Sequence, residues 1–170
     1  MKRLLTILCL VLLSVHSYSQ DVVTGHILVR DGITYHQDTN EPVTGIVETF
    51  YYNGQLENRT NFKDGKPDGL RERFYQNGQL RLRGNYKDGE LDGLLEVYYE
   101  DGQLEIRLNY KDGKQDGLNE WFHENGQLEM RLNYKDGEQD GLMEFFDEDG
   151  NLTRTVTYRN GELVEENLNP

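Results

Sequence analysis

Acidic residues in two stretches have the spacing of metal ligands. Asp88-Gly89-Glu90-Leu91-Asp92-Gly93 and Asp136-Gly137-Glu138-Gln139-Asp140-Gly141 place carboxylates at the first, third and fifth positions before a glycine, as a calcium loop does. The twelfth position, however, is Tyr99 in one stretch and Asp147 in the other. Turn chemistry alone accounts for such aspartates and glycines. We therefore expect no metal and no other cofactor, and keep as weak calcium candidates Asp88, Glu90, Asp92, Asp136, Glu138 and Asp140.

Side chains that could act as nucleophiles or acid–base catalysts are scarce. Every serine and the one cysteine, Cys9, lie within the first nineteen residues, and His26, His36 and His123 are scattered. Nearly every acid has a copy 24 residues away, whereas a glycosidase needs two carboxylates set apart by their environments. The sequence thus predicts no catalytic residues and no enzyme.

The first nineteen residues have the layout of a secretory signal peptide. Lys2 and Arg3 precede an apolar run from Leu4 to Val15, and small residues follow before Gln20. The run is shorter than the roughly 20 apolar residues that span a bilayer. We predict a signal peptide at 1–19, an exported chain that is periplasmic, on the outer surface or secreted, and no integral membrane segment after cleavage.

Net charge excludes some partner classes. Cleavage removes Lys2 and Arg3 but no acid, which takes the net charge from -13 to -15. Nucleic acids and anionic membrane surfaces need a basic footprint. We therefore expect no nucleic-acid partner.

Glycines recur at an unbroken interval of 24 residues, for example Gly45, Gly69, Gly93, Gly117 and Gly141. Fixed self-similarity at a period of about 20 to 50 residues indicates an array in which each unit packs on its neighbours. Five tandem units are predicted over 45–164. Residues 20–44, with a half repeat around Val29–Tyr35, are predicted to cap the N-terminal end, and 165–170 form an acidic tail.

The units are predicted to be β-hairpins. Asn-Gly or Asp-Gly pairs occur twice in each unit, and tight hairpin turns need the positive φ that these residues tolerate. Segments rich in Tyr, Phe, Val, Leu and Ile lie between the pairs, and the chain has no alanine. The expected fold is all-β, an elongated antiparallel meander of 24-residue hairpins.

Two hairpin registers fit the third unit. A two-residue turn at Asp101-Gly102 would pair Glu96 with Arg107, and such cross-strand pairs contribute about 0.2–1 kcal/mol each. A three-residue turn, with Gly102 as the bulge residue, would set Tyr98 opposite Leu104. We favour the three-residue turn because it gathers recurrent apolar positions (Leu94, Tyr98, Leu104, Tyr110 and, in the next unit, Leu128) onto one core face.

In this register the other face of each first strand points outward and carries residues that differ between units. Trp121, the one tryptophan in the chain, stands where other units have Thr49, Arg73, Val97 and Phe145. Recognition surfaces favour Trp, Tyr and Arg. If the two-residue turn forms, this face packs within the chain instead. The candidate binding residues are Arg73, Tyr75, Val97, Tyr99, Trp121, His123 and Phe145.

The recurring motif resembles a known repeat family. It reads Gly-Leu-x-Glu-x-Phe/Tyr, then Asn/Asp-Gly-Gln-Leu, then Asn-Tyr-Lys-Asp-Gly-x-x-Asp-Gly, over about residues 25–164. This pattern is similar to the bacterial variant of the MORN (membrane occupation and recognition nexus) repeat. The resemblance implies hairpin repeats, protein binding and no catalytic residues. Such proteins are often described as antitoxin components, and the signal peptide here would suit an immunity-like role against an exported toxin.

The leading hypothesis is therefore a non-enzymatic exported repeat protein that binds another protein through its sheet, in an antitoxin-like or immunity-like role. The alternatives are a module that binds cell-surface carbohydrate or cell wall, and a calcium-binding repeat protein. Aromatic hairpin repeats of about this length also serve wall-binding modules, but the single tryptophan in the chain speaks against the carbohydrate alternative.

Overall fold

Strands and turns make up the whole of the region that the computed structural model describes, residues 26–168, and no helix occurs in that range. The all-β prediction is confirmed. The predicted signal peptide at 1–19 lies outside the described residues. The strands are β1 (Ile27–Arg30), β2 (Ile33–His36), β3 (Gly45–Phe50), β4 (Leu56–Lys63), β5 (Lys66–Phe74), β6 (Leu80–Lys87), β7 (Glu90–Tyr98), β8 (Leu104–Lys111), β9 (Lys114–Gln115), β10 (Gly117–Phe122), β11 (Leu128–Lys135), β12 (Glu138–Gln139), β13 (Gly141–Phe146), β14 (Leu152–Arg159) and β15 (Glu162–Leu168).

One antiparallel sheet of 13 strands contains all five units. Its strands follow one another in chain order from β3 to β15, with the short β9 and β12 paired to β8 and β11. Contacts between strands follow this order. Within residues 26–168, therefore, no second layer packs against either face of the sheet.

Two kinds of turn alternate along the chain. At Asp88-Gly89 both residues have positive φ, 51° and 96°, as a two-residue hairpin turn requires. At the other end of the hairpin the Tyr99 N–H donates to the Gln103 carbonyl over 2.8 Å, and Gly102 has φ 93°. This loop is the predicted three-residue turn with a glycine bulge.

A second bulge follows each three-residue turn and changes the register. Tyr98 lies opposite Leu104, but Val97 lies opposite Ile106, which leaves Glu105 without a partner in β7. Beyond this bulge Glu96 faces Arg107, as in the alternative register. The same shift recurs in the other four units.

The predicted core face is therefore wrong past the bulge. Leu104 shares a face with Leu94 and Tyr98, whereas Ile106, Leu108 and Tyr110 lie on the opposite face with Leu95 and Val97. The extra residue at the bulge inverts the alternation, so one strand contributes apolar residues to both sides.

We name the two faces by their contents. The ladder face carries the five glutamates Glu48, Glu72, Glu96, Glu120 and Glu144. The variable face carries Leu95 and Val97 and their equivalents. The most buried apolar residues of the sheet, Val47, Leu132 and Val156, lie on the variable face, whereas Leu128, predicted as core, is half-buried on the ladder face. The predicted outward face thus holds most of the core.

Successive turns hydrogen-bond to each other along one edge of the sheet. The Gly113 N–H donates to the Leu91 carbonyl over 2.9 Å, and the Gly89 N–H donates to the Pro67 carbonyl over 2.8 Å. The β1–β2 hairpin extends this stack, because the Thr34 N–H donates to the Gly65 carbonyl over 2.8 Å. At the far end β15 pairs with β14, so residues 165–168 of the predicted tail are part of the sheet.

Candidate functional site

A ladder of alternating charges crosses the ladder face. Each glutamate faces an arginine in the neighbouring strand from Glu48 to Glu144, through Arg59, Arg83, Arg107 and Arg131. The Arg83 Nε–Glu96 Oε2 distance is 2.7 Å and the Arg107 Nη1–Glu120 Oε2 distance is 3.2 Å. Four guanidinium groups therefore face five carboxylates, and most of the charge on the ladder is paired.

Glu96 is the most buried member of the ladder, with 4 % of its surface exposed. Burial alone would raise the pKa of this carboxyl, but hydrogen bonds from Arg83, Tyr98 and Arg107 together hold its pKa below the ordinary value. Burial, and next the Glu96 acceptor, raise the pKa of Tyr98. Glu96 is thus an ionised structural residue and has no proton to exchange near neutral pH.

The variable face brings four of the predicted binding residues into one row. Along this row Arg73, Leu82, Val97, Ile106, Trp121, Met130, Phe145 and Arg154 are successive cross-strand neighbours. All are partly exposed. We call the apolar part, Leu82, Val97, Ile106, Trp121, Met130 and Phe145, the Trp121 row. At its end the Arg154 guanidinium carbon lies 3.8 Å from the centroid of the Phe145 ring.

The other three predicted binding residues form a parallel row with a structural task. The Tyr75 hydroxyl donates to the Tyr98 carbonyl over 2.7 Å, and the Tyr99 hydroxyl donates to the Phe122 carbonyl over 2.8 Å. His123 Nε2 lies 3.1 Å from the Phe146 carbonyl oxygen. Each side chain therefore bonds to the next unit. They border the Trp121 row and are already engaged within the chain.

Acidic side chains line the loop side of the Trp121 row. Glu105 and Glu129 occupy the unpaired bulge positions beside it. A shallow cleft there is lined by Tyr99, His123, Glu124, Asn125, Glu129 and Glu148. Burial, and then the charges of Glu105, Glu129 and Glu124, raise the pKa of Tyr99. We call Glu105, Glu124, Glu129 and Glu148 the acidic rim.

Inside the rim the variable face carries no acid. The two central rows of strand positions contain no Asp or Glu from Val47 to Val156, in a chain with 31 acidic residues. The second of these rows includes Leu95, Leu108, Leu132 and Met143. From β3 to β14, therefore, the variable face has one continuous surface without carboxylates.

Two of the weak calcium candidates, Asp92 and Asp140, accept backbone hydrogen bonds through their carboxylates, as does the equivalent Asp68. The Asp112 N–H donates to Asp92 Oδ2 over 3.3 Å, the Asp88 N–H donates to Asp68 Oδ2 over 3.2 Å, and the Asn160 N–H donates to Asp140 Oδ1 over 3.4 Å. The described part of the chain contains no group of three or more His, Cys, Asp or Glu side chains placed to hold a metal ion. These aspartates connect neighbouring turns.

Sequence reasoning missed the residues that β6, β8, β11 and β14 contribute to the row: Leu82, Ile106, Met130 and Arg154. Strict alternation along the second strand of the third unit places Ile106 on the same face as Leu104, the predicted core face, and the same holds at the equivalent positions. A signal was present in the sequence: these positions vary between units as strongly as the Trp121 position does, while Leu104 and its equivalents are leucine in every unit.

The repeats match a family model along most of their length. The chain belongs to the MORN repeat variant family, with matches at residues 43–64, 67–88, 91–112, 115–136 and 139–166. No curated protein matches the chain. As for membrane spans, residues 26–168 include no helix of the length and hydropathy needed to cross a bilayer.

Proposed function

We propose that this chain is a non-enzymatic, exported binding protein that holds another protein on its variable face, with Trp121 at the centre of the contact. The observation that carries the proposal is the Trp121 row. Six apolar side chains from six neighbouring strands lie side by side, partly exposed, on a sheet with no covering layer among residues 26–168. Contiguous exposed apolar patches mark interaction sites.

The ladder face is the poorer candidate. Its charged groups pair with each other, and its exposed leucines, Leu70, Leu118 and Leu142, stand in separate units. Charges that are already paired attract a partner only weakly. A partner that covered them would also have to remove water from both members of each pair, which costs free energy. The variable face differs in that its two inner rows carry no carboxylate between Val47 and Val156.

The proposal of a non-enzymatic role is supported by the tasks of the polar side chains. Glutamates and arginines form the ladder, aspartates connect turns, and Tyr75, Tyr99 and His123 bond to neighbouring units. The apparent signal peptide supports an envelope or secreted partner. An immunity-like role against an exported toxin is the form that the family resemblance suggests.

A comparative pull-down tests this proposal. Tagged chain expressed in its parent cell is recovered from the extracytoplasmic fraction, its N-terminus is sequenced, and co-purifying proteins are identified for three baits. The baits are the wild type, Trp121→Ala and, as a matched surface control, Leu118→Ala on the ladder face, where Leu118 is 39 % exposed.

We expect the mature chain to begin at Gln20, and a defined protein to be retained by wild type and Leu118→Ala and lost with Trp121→Ala. Removal of an aromatic anchor costs about 2 kcal/mol or more of binding free energy. Equal recovery by all three baits would place the contact elsewhere. A chain that begins at Met1 and stays in the cytoplasm would refute export.

A further inference from the structure

The backbone of the variable face limits what can lie on it. Inside the sheet the N–H and C=O groups are used in pairing with neighbouring strands, so a partner on the face finds side chains and no backbone groups to bond. A buried segment must then satisfy its own backbone. An α-helix does so within a single segment.

The dimensions of the Trp121 row match a helix lying across the strands. Its six residues come from six successive strands, and strands about 4.8 Å apart give a row about 24 Å long. A helix of about 16 residues has this length, and its pitch of about 5.4 Å brings roughly one turn to each strand. An apolar stripe at i, i+4, i+7 and i+11 would meet the row.

The charges around the row favour a partner with positive charge at the contact. Acids of the rim lie along the loop side, and the inner rows carry none. A second copy of this chain is disfavoured, because two molecules of net charge -13 repel each other. Lysine or arginine along one flank of the helix would instead meet Glu105 and Glu129. Arg73, at one end of the row, favours placing those cations away from that end. At the other end Arg154 is paired with Glu166, 3.5 Å away, so that pair offers the helix no free carboxylate.

We infer that the protein partner docks through an amphipathic α-helix with a basic flank, its apolar stripe on the Trp121 row and its cations against the acidic rim. This inference rests on the proposed function, since it names the chemistry of the partner at the same surface.

Trp121 provides the measurement, because it is the one tryptophan in the chain. The probes are two model helices of about 17 residues without aromatic residues. Both carry the same leucine stripe, and their central flank carries lysines in one and glutamates in the other. Each peptide is titrated into the purified full chain while the fluorescence emission of Trp121 is recorded. Circular dichroism of the same mixtures measures the helix gained on mixing, after subtraction of the spectrum of the protein alone.

We expect the lysine peptide to shift the emission saturably to shorter wavelength and to gain helix. The glutamate peptide should bind at least about tenfold more weakly, and added salt should narrow the difference. In the variant Glu105→Gln/Glu129→Gln the preference should fall to less than about threefold. Glu57→Gln, at the equivalent bulge of the first unit and away from the row, should keep the wild-type preference.

Three results would overturn the inference. The first is that the lysine peptide produces no saturable shift of the Trp121 emission, and the second is that both peptides bind equally well. The third is that the wild-type chain sediments as a dimer in analytical ultracentrifugation and Trp121→Ala sediments as a monomer. Failure of the peptides alongside a partner lost in the Trp121→Ala pull-down would refute the helix while leaving the proposed function in place.

Discussion

The ladder face and the variable face are built by the same strands, yet different positions repeat on them. Glutamate stands at the equivalent ladder position in all five units, from Glu48 to Glu144. Across the sheet, one residue further along each strand, the same units carry Thr49, Arg73, Val97, Trp121 and Phe145. Residue identity is constant where units bond to one another. It varies on the face that we assign to a partner.

The largest expected effect tests which face holds the core. Leu132 is 2 % exposed on the variable face, so Leu132→Ala should lower the free energy of unfolding by about 2–5 kcal/mol. Leu128→Ala, on the half-buried ladder side, should cost less than about 2 kcal/mol. Denaturant unfolding of both variants measures the difference. A larger loss for Leu128→Ala would reverse our assignment of the core.

The next largest effect compares the loss of stability when a glutamate is replaced at the centre of the charge ladder and at its end. Glu96→Gln removes the charge that Arg83 and Arg107 share and should cost about 1–3 kcal/mol, since charge-assisted hydrogen bonds are lost at a buried site. Glu144→Gln is the matched control, because Glu144 has one arginine partner, Arg131, and is more exposed. It should cost less in the same unfolding assay.

The pH dependence of this effect follows from the sign of the shift. The pKa of Glu96 is lowered in the folded state from its ordinary value of 4.5, so its contribution is complete above that pH and is lost as the pH falls through the lowered value. The stability gap between wild type and Glu96→Gln should therefore be constant from neutral pH to about 5 and narrow in stronger acid. A gap that narrows already near neutrality would contradict an ionised, paired Glu96.

The smallest effect separates structural from recognition residues on the variable face. Tyr99→Phe removes the hydroxyl that donates to the Phe122 carbonyl and should cost about 0.5–1.5 kcal/mol. Tyr52→Phe is the control, because the Tyr52 side chain is fully exposed in its loop. Thermal melts should show a lower Tm for the first variant and no change for the second. Equal melting temperatures would mean that the hydroxyl bonds contribute nothing between units.

The sequence predicted the hairpin array because that array depends on local turn chemistry. Asp-Gly and Asn-Gly pairs at a fixed period specify where the chain reverses, and Gly102 has the positive φ that the three-residue turn needs. The face assignment failed for a different reason. The bulge at Glu105 depends on the pairing of two strands, which alternation within one strand does not report.

The candidate site was predicted in part for the same reason. Arg73, Val97, Trp121 and Phe145 come from first strands, whose positions the turn leaves unchanged, and the structure does place them in one row. Their neighbours Ile106 and Met130 come from second strands beyond the bulge and were missed. Hydrogen bonds of Tyr99 and His123 to the next unit depend on stacking, which a single unit does not reveal.

Because the turns stack on one another, the chain can gain or lose length without breaking the stack only in blocks of 24 residues. Every bond between turns joins the same two positions of successive units, as in Gly89 to Pro67 and Gly113 to Leu91. Excision of residues 93–116 as a block would bring Arg83 beside Glu120 and Leu82 beside Trp121, contacts of the kinds already present. A single inserted residue would put out of step the bond between turns that spans the insertion. Gain or loss of one whole 24-residue unit therefore preserves the bonds between turns. Each such change makes the apolar row wider or narrower by the two strands of that unit.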